Sequence, residues 1–177
     1  LMPLIPDKIL EIEFKKRRIW TRKLLSPFIT QLIALSEDMK KTMVKAFGII
    51  PENNIKVIIN GVDTERFRIR SEEERNNIRK ELGLDGKIVI GTVGRMEEVK
   101  DQKTFLEALS ILRSNGEDVK GILVGDGYLR GELEERRNRL LLNDSVFFLG
   151  IRKDIEKIFS AIDIFILPSL NEGIPNV

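Results

Sequence analysis

The 177-residue chain contains no cysteine and no histidine. Without cysteine there is no disulfide, no thiolate nucleophile and no cysteine-type zinc site. Without histidine the most common general base and metal ligand is missing too. Chemistry done by this chain therefore rests on positioned charges and backbone dipoles, or its base lies elsewhere. Long apolar runs are also scarce: none approaches the roughly 20 residues that cross a bilayer. The longest, within Lys87–Val93 and Ile162–Leu167, have the length of strands. The first residues lack the apolar core and small-residue cleavage site of a signal peptide. A cytoplasmic protein is the expectation.

What is present is an ordinary globular balance, 42% hydrophobic and 33% charged, with a net charge of +2. The charge is unevenly spread. Residues 1–47 carry ten basic and five acidic side chains, a net +5, which leaves −3 for the remainder. The excess centres on Lys15-Lys-Arg-Arg18 and Arg22-Lys23. Such clusters can touch an anionic membrane surface or nucleic acid. Charge runs are more often solvated helix faces, however. Two short clusters with only Trp20 between them also make no nucleic-acid groove. The solvated face is the preferred reading, and peripheral membrane contact is the alternative.

From residue 71 onward the pattern repeats strand, loop, helix. Ser71-Glu-Glu-Glu74 reads as a capping box, opening a helix that runs to Leu82 and stops at Gly83. A β-branched strand follows from Lys87 to Val93, then the turn Gly94-Arg95. A helix begins near Asp101 and buries Phe105, Leu106, Leu109 and Leu112 at helical spacing. Lys120–Val124, Ser145–Leu149 and Asp163–Leu167 read as further strands, separated by helices of about 129–142 and from an Asp154 cap to Ala161. Strands joined by helical crossovers pair in parallel with right-handed connections, and their continuous apolar character implies helices on both faces. The expected fold is an α/β doubly wound parallel sheet. The first sixty residues offer two strands, 28–36 and 56–60, with a helix of about 37–47 between them. That is too little for an independent sheet, so residues 1–63 are read as the tail of a preceding α/β domain and 64–177 as a second domain, with both ends of the chain cut.

In such a sheet, ligands bind beyond the carboxyl ends of the strands. The residues expected there are Gly94-Arg95, Gly125-Asp-Gly127, Gly150-Ile-Arg152 and Asn171-Glu-Gly-Ile-Pro175. Arg95 and Lys100 stand just before a helix, beside its positive dipole end, where cations are disfavoured and anions favoured. Two cations at that point make sense around a phosphate, and a guanidinium fork with an ammonium suits a pyrophosphate. The plain alternative is that both are solvated and paired with Glu97 and Glu98. Glu172, in a Gly- and Pro-bounded loop, can accept hydrogen bonds from sugar hydroxyls or stand as a solvated acid. The amides of Gly173 and Ile174 can meet phosphate oxygens, because Pro175 favours a helical first turn. Arg130 occupies the place of the last glycine of a dinucleotide fingerprint, and no P-loop follows a strand. A dehydrogenase or kinase is thereby disfavoured.

The series Ile59-Asn-Gly-Val-Asp63, Val93-Gly-Arg-Met96 with Lys100, Leu123-Val-Gly-Asp-Gly-Tyr128, Phe148-Leu-Gly150 and Leu167-Pro-Ser-Leu-Asn-Glu-Gly-Ile-Pro175 resembles the group 1 retaining glycosyltransferases (family 4, GT-B fold). The likeness runs from about Ser36 to the last residue. It implies two Rossmann-like domains across a cleft, with a nucleotide-sugar donor held mainly by the second. Arg95, Lys100 and Glu172 are then the catalytic group. The two cations bind the diphosphate and stabilise its departure, while Glu172, first acid of a Glu-x7-Glu motif, contacts the sugar. Gly94, Gly125, Gly127, Gly150, Ile151 and Arg152 line the donor site, the last two beside the base, and Gly173 and Ile174 add backbone donors. The resemblance implies no metal and no cofactor; the donor is a UDP-, GDP- or ADP-sugar, and the acceptor a glycan, lipid or polysaccharide. Two departures stand out. Asp101, read as a helix cap, replaces a usual glycine, and the second Glu would fall at position 180, past Val177. This stretch alone is therefore expected not to turn over. The alternatives are a sucrose- or glycogen-synthase-like member of the fold and a non-catalytic nucleotide-binding module.

Overall fold

The computed structural model describes residue 24 and residues 28–44, 51–172 and 174–177. These divide into two compact units, parted between Gly61 and Val62, with residues 174–176 grouped with the first unit and Val177 with the second.

In the first unit, strand β1 (Leu32–Ala34) pairs in parallel with β2 (Ile55–Val57), Ile33 standing opposite Lys56. Helix α1 (Glu37–Thr42) lies between them in sequence, and the Ser36 hydroxyl caps it by accepting from the Met39 amide at 3.0 Å. Ala34 and Ile55 are buried against Leu32, Met39, Met43 and Val57. Both strands are shorter than the sequence suggested. Residues 45–47 of the expected helix lie outside the described residues.

The second unit opens with α2 (Glu72–Glu81), whose capping box is complete: Ser71 Oγ accepts from Glu74 N, and Glu74 accepts from Ser71 N. Its end is a Schellman cap, with Gly83 at φ 66° and the Leu84 amide donating to the Arg79 carbonyl at 2.8 Å. Strand β3 (Ile88–Val93) is followed by α3 (Gln102–Ser114), β4 (Val119–Val124), α4 (Arg130–Arg139), β5 (Val146–Gly150), α5 (Ile155–Ala161) and β6 (Ile164–Phe165). All four strands are parallel, in the order β5-β4-β3-β6. The alternation of side chains along β3 and β4 builds two cores. Ile90 and Leu123 meet Phe105, Leu106, Leu109 and Leu133 from α3 and α4. Val89, Val93, Ile122 and Val124 meet Ile78, Ile158 and Ala161 from α2 and α5 on the opposite face. This is the helix–sheet–helix layering expected of continuously apolar parallel strands. Each fully buried aliphatic side chain contributes about 1.5–3 kcal/mol.

Three details depart from the sequence reading. Strand β6 has only two residues, both exposed, instead of a buried Asp163–Leu167. Among the described residues it pairs only with β3; its last ladder bond is Ile166 N to the Gly91 carbonyl at 2.9 Å, and Pro168, soon after, has no amide to continue. Asp154 precedes α5 but does not cap it through its side chain, because Arg152 holds its carboxylate at 2.9 and 2.7 Å. Helix α4 ends at Arg139, with Leu141 in the left-handed region at φ 56°.

Asp163 locks this layer together. Its carboxylate accepts from the Val89 amide at 2.7 Å and from the guanidinium groups of Arg75 and Arg79. The same two arginines donate through Nε to the Ser160 and Ala161 carbonyls, each at 3.0 Å. Burial pushes the Asp163 pKa upward, but the Val89 amide and the two cations outweigh it and hold the group below the usual carboxylate range.

Candidate functional site

From β3 the chain passes to β4 and β5 on one side, then returns to the other side of β3 as β6. That reversal puts the topological switch point at the carboxyl ends of β3 and β6, the place where doubly wound sheets bind ligands. Two loops face it: residues 94–101 after β3 and 166–172 after β6.

The first loop is fixed by backbone bonds to its neighbours. Gly94 N donates to Val124 O at 2.9 Å, Met96 N to Asp126 O at 2.9 Å, and Leu129 N to Met96 O at 3.1 Å. Gly125 N in turn donates to Gly150 O at 2.8 Å, so the ends of β3, β4 and β5 form one continuous rim. The two glycines after β4 are needed for this closeness. A Cβ on Gly125, at φ 124°, would stand inside the Gly94 carbonyl, and one on Gly127 would meet the Met96 backbone. What approaches these glycines is the adjoining loop, a packing demand that applies whatever binds above the rim. Asp126 is held below the usual carboxylate range by the Gly127 amide and by Arg130, which bonds it at 3.1 Å.

After Met96 the loop makes a 3-10 turn, Glu98–Lys100, and reaches α3 through Asp101 at φ 45°. The second loop docks on that turn: Leu170 N donates to Val99 O at 2.9 Å. The docking brings Lys100 and Glu172 together, and the Lys100 ammonium donates to Glu172 Oε1, which also accepts from the Ser169 hydroxyl at 2.8 Å. These two bonds, that from Lys100 first, hold Glu172 below its ordinary pKa. Glu172 is thus an ionised acceptor at neutral pH. Lys100 and Glu172 are one-fifth exposed, at 19% and 22%.

The other sequence-derived site residues fall as follows. Gly94 lies beneath the Lys100 methylenes; a Cβ there would be 3.8 Å from Lys100 Cδ. Arg95 turns to Glu97 at 2.7 Å, the plain pairing the sequence allowed, and its side chain is 74% exposed. Gly150, at φ 65°, ends β5, and Ile151 beyond it is 80% exposed. Arg152 is held by Asp154. Ile174 groups with the first unit, and Gly173 lies outside the described residues. Asp101 does not cap α3 with its side chain; its carboxylate accepts from the Thr104 hydroxyl at 2.6 Å. Two participants went unnoticed in the sequence. Ser169 carried no signal of its own. Gln102 did: it is a polar residue on the buried stripe of α3, three and four positions before Phe105 and Leu106.

Fold and site together define a doubly wound α/β protein with a lysine–glutamate pair at the carboxyl ends of β3 and β6. The family follows from comparison. The model of the glycosyl transferases group 1 matches residues 73–177, and that of glycosyltransferase family 4 matches residues 7–66. The chain belongs to the group 1 glycosyl transferases, which share the GT-B fold. It is 34% identical over 162 residues to an Escherichia coli UDP-Gal:alpha-D-GlcNAc-diphosphoundecaprenol alpha-1,3-galactosyltransferase, covering 88% of this chain and 41% of that protein. The crystal structure of Anabaena Alr3699/HepE in complex with UDP-glucose superposes with a TM-score of 0.75 at 27% identity, over 88% of this chain and 43% of that one. A solved C-terminal domain of the group 1 protein LpcC from Francisella tularensis gives a TM-score of 0.56 at 27% identity, over 64% of this chain and 61% of that domain. The chain thus spans about 40% of the length of the curated relatives it matches.

Proposed function

We propose that this chain is the donor-binding part of a retaining hexosyltransferase that takes a UDP-linked hexose. The observation behind the reading is the meeting of Lys100 and Glu172, 72 residues apart in sequence, at the switch point of the sheet. A cation suited to phosphate stands beside an ionised acceptor suited to hydroxyls, which is the pairing a diphosphate-linked sugar needs. The UDP donor is favoured by two relatives, the galactosyltransferase whose name specifies UDP-Gal and the Anabaena protein solved with UDP-glucose.

In this reading Lys100, in the turn before α3, binds the diphosphate, and Arg95 adds a second cation from its exposed position. As the bond between the anomeric carbon and the diphosphate breaks, the leaving oxygen takes the electron pair, and these cations stabilise the charge that develops. Preorganised charge of this kind supplies several kcal/mol. The acceptor hydroxyl oxygen bonds to the same carbon on the same face and passes its proton to the departing diphosphate oxygen. Glu172 orients the hexose by accepting from its hydroxyls. The backbone of Gly94, Gly125, Gly127, Gly150 and Ile151, with Arg152, is assigned to the donor's surroundings. The acceptor is a glycan or lipid carrier, met through protein outside this chain, and the place of action is the cytoplasm.

The test is a thermal-shift series with UDP, GDP and ADP and their hexose conjugates. A ligand at 100 times its Kd stabilises the native state by about 2.7 kcal/mol. UDP and UDP-hexoses raise Tm, and GDP and ADP do so less. Equal indifference to all three nucleotides would contradict the reading. The chain alone binds donor without transferring sugar; transfer by the 177 residues alone would count against the division of labour proposed here.

A further inference from the structure

Gln102 opens α3 and is only 3% exposed. It sits on the stripe that carries Phe105, Leu106 and Leu109 into the core, where the fold by itself favours an apolar side chain. Its Nε2 donates to the Arg95 carbonyl at 2.9 Å. Its Oε1 is buried with no donor among the described residues. A buried acceptor left unpaired is costly, and a leucine or methionine would avoid that cost. The glutamine is therefore explained by the bond it does make. That bond reaches the backbone of the loop bearing Arg95 and Lys100. Other ties on this loop come from the strand ends, from Tyr128 and Leu129 before α4, and from Leu170: Gly94 N to Val124 O, Met96 N to Asp126 O, Glu98 N to the Tyr128 hydroxyl, Leu129 N to Met96 O, and Leu170 N to Val99 O. Gln102 adds a tie from the helix. It also shares the space over Gly94 with Lys100, since a Cβ there would lie 4.0 Å from Gln102 Nε2 and 3.9 Å from Lys100 Cε.

We infer that Gln102 is a positioning residue of the donor site. Its amide holds the Arg95 carbonyl and so sets the path of residues 95–100, keeping the Lys100 ammonium beside Glu172 where the diphosphate is bound. The inference rests on the proposed function for what Lys100 does; the anchoring of the loop stands on the geometry alone.

The experiment uses the 177-residue chain and Gln102→Met, which fills nearly the same volume but has no donor. Calorimetric titration with UDP, thermal melting, and hydrogen exchange at the amides of residues 96–101 are compared. Expected are a Kd for UDP about tenfold higher, faster exchange confined to 96–101, and little change in Tm. Leu112→Ala, on the same helix and partly buried, serves as the destabilised control: it lowers Tm and leaves the UDP affinity unchanged. If Gln102→Met binds UDP within about twofold of the unsubstituted chain and exchange is unaltered, the inference is overturned. It is overturned equally if Leu112→Ala weakens UDP as much as Gln102→Met does, since the effect would then be general loss of stability. Failure of the unsubstituted chain to bind UDP is a separate result. It removes the proposed function, while the exchange comparison still decides whether Gln102 holds the loop.

Discussion

Glu172 and Lys100 occupy each other, and this has a measurable consequence. In the proposed function UDP needs the ammonium but not the carboxylate, whereas a UDP-hexose uses both. Glu172→Gln removes the competing charge on Lys100 and weakens the acceptor for sugar hydroxyls. UDP is then bound as tightly as before or more tightly, and UDP-hexose loses about tenfold in affinity, a change of 1.4 kcal/mol. Equal losses for both ligands would show that Glu172 serves only the loop's stability. Two other residues carry backbone strain. Asp101 and Leu141 are the non-glycine positions with positive φ among the described residues, at 45° and 56°. The left-handed region costs an L side chain roughly 1–2 kcal/mol, least for Asp and Asn. Leu141 is 84% exposed, so its side chain returns little packing. Leu141→Gly is expected to raise stability by about 0.5–1 kcal/mol in a denaturant titration, after the added entropy of the unfolded glycine is subtracted. A lower midpoint would contradict this. Asp101→Val, β-branched in the same region, is expected to lose about 1–2 kcal/mol.

At the scale of elements, the rim of strand ends depends on glycines and the α2–β6 layer on one aspartate. Gly125→Ala places a methyl against the Gly94 carbonyl in a conformation that L residues avoid. It is expected to cost more than about 1 kcal/mol and to weaken UDP binding by moving the loop after β3. Asp163 has a native pKa below its unfolded value of about 3.9. Its contribution is therefore complete above that value and is lost as pH falls through the native pKa. Glu74 behaves alike: Arg68 first, then the Ser71 amide, hold it at about 2. Stability thus falls between about pH 4 and pH 2, and Asp163→Asn flattens that acid limb in pH-dependent melts while lowering stability at neutral pH. An unchanged acid limb would contradict the assignment. Elements were legible where their chemistry is local. The capping box at Ser71 and the glycine after Leu82 marked α2 at both ends. Helix α4 was read too long because its Schellman cap uses Leu141 in place of glycine: the amides of Leu141 and Leu142 still donate to Asn138 and Arg137, at 3.1 and 3.0 Å. The extent of β6 was overread because its pairing, on one side only among the described residues, is a tertiary fact invisible in an apolar run.

At the scale of the molecule, the parallel sheet and its helical layers followed from the alternation of strands and helices. So did the placement of Lys100 and Glu172 at the strand ends, but not their contact. That depends on the order β5-β4-β3-β6, which places loops 72 residues apart side by side. Arg95 and Lys100, read as a pair from their spacing, instead each take a separate carboxylate, Glu97 and Glu172. In the proposed function Lys100 provides the phosphate charge at the switch point. Calorimetric titration of UDP into the chain and into Lys100→Ala tests it most directly, with Lys87→Ala, a lysine just before β3 paired with Asp118, as the control. Lys100→Ala is expected to bind UDP at least tenfold more weakly, in line with a charge-assisted hydrogen bond of about 1.5–3 kcal/mol, and Lys87→Ala to bind it unchanged. UDP affinity that survives Lys100→Ala intact would contradict it.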